Sequence, residues 1–162
     1  MTQFSRYAGA LLLMVLASCN DPASPISSTL IGDNLVRLTA SASARELASG
    51  SPVTLRITLT NEGAEAVTLH FRNTCQILPF IRDSRGANVI PDGGGWGCGT
   101  ALTELSLGPG QAASREYVWT GSTAFQSEMP LIPMPPGRYY FSAEVQAQEV
   151  ALRSAPIELI LR

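Results

Sequence analysis

The sequence predicts an all-β chain folded as a β-sandwich of seven to nine short antiparallel strands, and three observations carry that prediction. Apolar residues recur at every second position, as in Val53, Leu55, Ile57 and Leu59 set between Thr54, Arg56, Thr58 and Thr60. That period buries one face of a strand and leaves the other in water. Turn residues cut the chain at near-regular intervals. No segment beyond residue 33 keeps the helical period for more than about two turns.

The elements follow in order. The stretch Ala42 to Ala48 has room for about one helical turn before Ser49-Gly50-Ser51-Pro52 stops it. A strand covers Val53 to Thr60, and Asn61-Glu62-Gly63 turns the chain. Val67, Leu69 and Phe71 alternate with Thr68 and His70 in a second strand, and a third runs from Ile77 to Arg82. Asp83-Ser84-Arg85-Gly86 is a turn, because Asp bonds its own backbone and Gly accepts positive φ. Ala87 to Ile90 returns from it. Pro91 to Gly99 carries so much glycine that it costs backbone entropy unless the loop is tied down. Leu102 to Leu107 is a short strand, and Gly108-Pro109-Gly110 a sharp turn. Ala113 to Trp119 is a strand with Tyr117 and Trp119 on one face. Ser122 to Gly137 is a loop holding Pro130, Pro133, Pro135 and Pro136. Tyr139, Phe141, Ala143 and Val145 share one face of the next strand. A turn near Gln146-Ala147-Gln148 leads to a final strand ending at Leu161. Pro156 gives that run no ladder donor, which marks an edge or a bulge.

Upstream of the domain, Arg6 precedes an apolar run centred on Leu11 to Leu16, which ends in Leu16-Ala17-Ser18-Cys19. A basic start, an apolar stretch and small residues make a secretory signal. The run from Tyr7 to Ser18 falls well short of the roughly 20 residues that span a bilayer. The Leu-Ala-Ser-Cys box resembles the lipobox of bacterial lipoproteins. That resemblance implies that residues 1–18 are a signal peptide removed before Cys19, whose thiol is diacylated and whose new amine is acylated in turn. Each buried methylene contributes about 0.8 kcal/mol, and two or more chains anchor stably. Asn20 stands where Asp would resemble an inner-membrane retention signal, which favours the outer membrane and a domain facing the periplasm. Residues 19–33, rich in Pro, Ser and small side chains, are expected as a flexible tether, and 34–162 as one domain.

The net charge is −2, and all 11 basic side chains are arginines scattered along the chain. With no basic stripe, nucleic acid is not an expected partner. Once Cys19 carries lipid, Cys75 and Cys98 remain. Thiols beyond the inner membrane tend to be oxidised, so one disulfide is expected. It closes a loop of about 24 residues and contributes about 3 kcal/mol in the chain-entropy picture. A metal site is the alternative. Two cysteines, one distant His70 and no Cys-x-x-Cys or His-x-His spacing speak against it. Gly93-Gly94-Gly95 is followed by Trp96, not by Lys and a helix, so no phosphate cradle and no cofactor are expected.

Several segments together resemble the BsuPI-type intracellular proteinase inhibitor family. They are Val53 to Glu62 followed by Val67-Thr68-Leu69-His70-Phe71, then Ile81 to Gly86, Leu105-Ser106-Leu107-Gly108-Pro109-Gly110, Tyr117-Val118-Trp119 and Pro136-Gly137-Arg138-Tyr139-Tyr140. The resemblance spans about residues 50–146 and implies an immunoglobulin-like β-sandwich. Two features depart from the family pattern. The family is named for a cytoplasmic inhibitor, whereas this chain carries an export signal, and the glycine-rich loop beside Cys98 looks like an addition. A fold does not bring function with it, so the sites are weighed residue by residue.

His70 is the single histidine and lies on the polar face of its strand; without a Gly-x-Ser-x-Gly motif it makes no catalytic triad, and no enzyme is expected. Two loops are candidate binding surfaces. In the first, Met129, Leu131, Ile132 and Met134 stand among prolines that fix φ and limit the entropy lost on binding. This loop either enters a protease cleft as a substrate mimic or caps the open end of the sandwich. In the second, Trp96 is either an interface anchor or packs over the disulfide. The function expected is a lipid-anchored, non-catalytic, extracytoplasmic binding module of proteinase-inhibitor type. It is held to the membrane by acyl chains, with a protease or another envelope protein as partner. The alternative is a structural envelope lipoprotein with no protease target.

Overall fold

The computed structural model describes residues 26–31, 34–128 and 131–162, so the expected signal peptide, Cys19 and Met129 lie outside the described residues. Within them the chain is all β. Its strands are β1 (Ile26–Ile31), β2 (Asn34–Ala42), β3 (Glu46–Leu47), β4 (Val53–Asn61), β5 (Val67–Phe71), β6 (Leu78–Asp83), β7 (Asn88–Ile90), β8 (Thr103–Leu107), β9 (Ala112–Trp119), β10 (Gly137–Gln146), β11 (Ala151–Arg153) and β12 (Ile157–Leu161). Nine of the twelve are five residues or longer, and all pair antiparallel except β3 with β12. The first sheet runs β1-β2-β4-β9 and the second β3-β12-β10-β6-β7 with β11 beside β10, while β5 and β8 form a separate ribbon.

Alternation sets the core. Val53, Leu55, Ile57 and Leu59 of β4 are fully buried, and Tyr139, Phe141, Ala143 and Val145 of β10 face them from the second sheet. Each fully buried large aliphatic or aromatic side chain contributes about 1.5–3 kcal/mol over an exposed one. Trp119 is wholly enclosed. Its indole N–H donates to the Ser122 carbonyl at 2.7 Å, and its ring meets Tyr139 edge-on at 5.5 Å. In β2, a strand not expected from the sequence, Val36, Leu38 and Ala40 are buried at the same two-residue period.

Four expectations are corrected here. Six residues of the expected tether form β1, which pairs with β2 from Ile26 opposite Thr39 to Ile31 opposite Asn34. Those six residues contain no proline, and serine does not prevent a strand where a neighbouring edge supplies partners. The stretch Ala42–Ala48 makes no helical turn. Instead Glu46–Leu47 joins β12, because burying Leu47 against the core outweighs one isolated turn. The third expected strand and the strand after the disulfide loop start one residue later than expected, at Leu78 and Thr103.

The proline in the last run makes a bulge, as its missing N–H requires. Phe141 stands opposite Ile157 and Glu144 opposite Arg153, so two residues of β10 face the three residues Ser154 to Pro156. Ser154 repairs the ladder there, because its N–H donates to the Ala143 carbonyl and its hydroxyl accepts from the Ala143 N–H, both at 2.9 Å. The Asp83–Gly86 turn is also as expected, with Asp83 Oδ1 accepting from the N–H groups of Arg85 and Ala87 and Gly86 at φ +84°.

The sandwich has two poles. At one, Gly50 donates to the Thr120 carbonyl and Ser49 to that of Arg162, which gathers the ends of β9 and β12 with the Asp83–Gly86 turn. Gly121 belongs to this pole, where φ is +74° and an added Cβ would sit 2.6 Å from Leu161 Cδ1. At the other pole, Asn61 is fully buried. Its amide donates to the carbonyls of Glu65, Leu107 and Gly108 at 2.7–3.2 Å, and its oxygen accepts from the Gly63 N–H. The β5–β8 ribbon starts there and ends at the Gln146–Glu149 turn of the second sheet, so Val67, Leu69 and Phe71 close the core at that pole.

Candidate functional site

The candidate site lies along the side of the sandwich left open between the two sheets. There β9 is the last strand of the first sheet and β7 the last of the second. Among the described residues neither has an outer partner strand, so the loops after them cover the gap. The proline loop returns along Gly121–Thr123. The Met134 N–H donates to the Gly121 carbonyl at 2.7 Å, the Thr123 N–H to that of Ile132 at 2.9 Å, and Ser122 bridges Pro133. Phe125, fully buried, carries the loop across to the other sheet. Its ring lies 4.8 Å from Tyr117 of β9 and stacks parallel to Trp96, with centroids 6.4 Å apart. Burial in this cluster pushes the Tyr117 hydroxyl above its ordinary pKa.

Trp96 is half-buried, and its indole N–H donates to the Pro79 carbonyl of β6 at 3.0 Å. The indole therefore leans on Pro79 and Phe125. The Cys75–Cys98 bond ties the same loop at its far end, with 5.5 Å between Cα atoms, while the Thr74 hydroxyl accepts from the Gly99 N–H at 2.8 Å.

Between the loops is an open cleft of about 250 Å³, lined by Ile90, Pro91, Trp96, Thr123, Glu128 and Ile132 among others. Ile90 is its buried floor, and the Ile90–Pro91 peptide is cis. Ile132 is its exposed lip, at 56 % relative exposure. The structure thus brings Trp96 and Ile132 into one surface. Leu131 and Met134 are half-buried and pack the loop down, and Met129 is outside the described residues. Asp92 and Glu128 give the rim two carboxylates that sequence reading did not place there. No local pattern marks them, since residues from separate loops meet only after the sheets pack.

The Ile132 carbonyl is committed to Thr123, and the next bond is to Pro133. A protease that engages this loop meets the Ile132 side chain, not a peptide carbonyl free to enter an oxyanion hole.

His70 is half-exposed, and among the described residues its ring is bound by a carboxylate. Its Nδ1 lies 2.6 Å from Glu149 Oε1, its backbone N–H donates to Glu149 Oε2 at 2.9 Å, and its carbonyl accepts from Gln148. The backbone N–H of His70, aided by its ring, holds the Glu149 carboxyl below its usual range. No nucleophilic side chain is bonded to that imidazole among the described residues. A second cleft, of about 380 Å³, contains Arg82 and Arg153. Both guanidiniums converge on buried Glu144, at 3.0 and 2.8 Å, so one carboxylate is shared by two cations and the cluster keeps one positive charge in excess. Among the described residues no group of three His, Cys, Asp or Glu side chains is arranged to hold a metal.

A family model described as BsuPI, intracellular proteinase inhibitor, matches residues 39–150. No curated protein matches the chain. Among solved structures, it is similar to the CARDB domain of a Pyrococcus furiosus protein in complex with di-metal ions, at 12 % identity and a TM-score of 0.48, covering 83 % of this chain and 93 % of that one. It is also similar to part of a beta-glucosidase from Listeria innocua in complex with glucose, at 13 % identity and a TM-score of 0.43, covering 78 % of this chain and 16 % of the enzyme. A beta-glucosidase from Erythrobacter marinus is similar at 13 % identity and a TM-score of 0.43, covering 86 % and 16 %.

Proposed function

The chain belongs to the BsuPI intracellular proteinase inhibitor family, and from that premise we propose that it is a non-catalytic binding module of inhibitor type, lipid-anchored at Cys19 and displayed outside the cytoplasm. Export and anchoring rest on the leader and its Leu-Ala-Ser-Cys box. Binding rests on one observation. Two loops remote in sequence place exposed Ile132 and half-buried Trp96 around a single cleft. An apolar lip on a braced loop loses little entropy on docking, and an indole beside it supplies area and a stacking face. The rim carboxylates Asp92 and Glu128 suit a target with a basic residue beside an apolar pocket.

The binding mode is obstruction. Ile132 projects into the partner while its carbonyl stays paired with Thr123. This replaces substrate mimicry, which would need that carbonyl free. The structural reading keeps one observation on its side, because Trp96, Phe125 and Met134 also seal the open flank of the core.

Titration of the chain into a panel of serine, cysteine and metalloproteases decides between them. Inhibition that Ile132→Asp weakens by about 100-fold, the scale of a hot-spot loss, with unchanged thermal stability, supports the binding reading. No inhibition across the panel leaves the structural reading standing. Palmitate tagging tests the anchor separately, and an unmarked protein would remove it.

A further inference from the structure

We infer that the Gly121 pole of the domain rests on the surface of an anionic phospholipid membrane and that the Asn61 pole points away from it. The inference rests on the anchor proposed at Cys19 and adds an orientation to it. Two independent observations carry it, the path of the chain and the distribution of charge.

Cys19 precedes the first described strand residue, Ile26, by seven Cα steps, which extend at most about 25 Å. Ile26 lies opposite Thr39, and β2 runs on from there to Ala42 at the Gly121 pole, a distance of about 10 Å. The N-terminal end of β1 therefore faces that pole. To set the Asn61 pole on the bilayer, the same residues would have to double back along β1 for about 17 Å and spend most of their reach.

Charge divides the same way. The Gly121 pole carries Arg45, Arg85, Arg138 and Arg162, all exposed, against the acids Glu46, Asp83 and Glu158, each of which pairs with one of the last three arginines, so the excess is the single positive charge of Arg45. Arg45 has no ion-pair partner among the described residues. The Asn61 pole carries Glu62, Glu65, Glu104 and Glu149 against Arg37 and Arg72. An anionic surface attracts the first pole and repels the second, and the effect fades within a Debye length. Such a surface also suits arginine, whose planar fork pairs with phosphate.

The test is hydrogen exchange on the full chain recovered from membranes and placed in vesicles of phosphatidylethanolamine and phosphatidylglycerol. Relative to the chain in detergent, amides at residues 83–87 and 137–138 are expected to slow by about fivefold, and those at 61–65 and 148–150 to stay unchanged. Slowing at the Asn61 pole, equal slowing at both, or the same slowing on neutral phosphatidylcholine vesicles would overturn the orientation. The double variant Arg45→Glu, Arg85→Glu is expected to lose the slowing. High salt provides the same check without a mutation. If tagging shows Cys19 unacylated, the anchor reading fails by itself. The exchange test is then run with the Cys19 thiol joined to a maleimide phospholipid, with the same expected and overturning results.

Discussion

Asn61 shows how one side chain can hold two turns together. Its amide and carbonyl bind four backbone groups while the side chain is fully enclosed, and the Leu107 carbonyl among them is buried too, so water cannot replace that lost partner. Asn61→Ala strands those groups and is expected to cost about 2–3 kcal/mol. The check is a lower urea midpoint with an unchanged slope. Glu149 makes a pH prediction. Its folded pKa is depressed by the His70 N–H and ring. The stability it contributes is therefore present above the unfolded carboxylate value of 4.5 and lost as pH falls through the lower folded value. Melts of wild type and Glu149→Gln should differ most above that window and converge below it. Constant separation down to strong acid would contradict this. Asp83, lowered chiefly by the Arg85 side chain, acts in the same direction.

Among the elements, the disulfide loop and the proline loop act as a pair. The Cys75–Cys98 bond limits how far the glycine-rich segment can wander from β6 and so keeps Trp96 within reach of Phe125. Replacing both cysteines with alanine is expected to destabilise the domain by about 3 kcal/mol. It is also expected to expose the indole, seen as a red shift in Trp96 fluorescence against a Trp119→Phe background. Thiol labelling of the unfolded, unreduced chain should find neither Cys75 nor Cys98. The strands themselves were legible wherever alternation was uninterrupted, as in β4, β5 and β10. They were missed in β2, where small Ala40 and Ala42 weaken the contrast between faces, and in β1, where composition reads as linker.

The whole molecule is an all-β sandwich whose family membership covers residues 39–150 and whose candidate site lies on one flank. The sequence alone determined the strand faces, the turns, the disulfide partners and the family, because each depends on neighbours along the chain or on a composition short enough to read. It also supplied both candidate loops. Only the tertiary structure decided that Trp96 and Ile132 share a cleft, that Asp92 and Glu128 rim it, and that Glu149 reaches His70 across 79 residues. Those meetings are set by which sheet edges stay open and by the register in which strands pack. A local two-residue period carries no information about either, because it says which side of a strand is buried and nothing about what lies on the other side of the core.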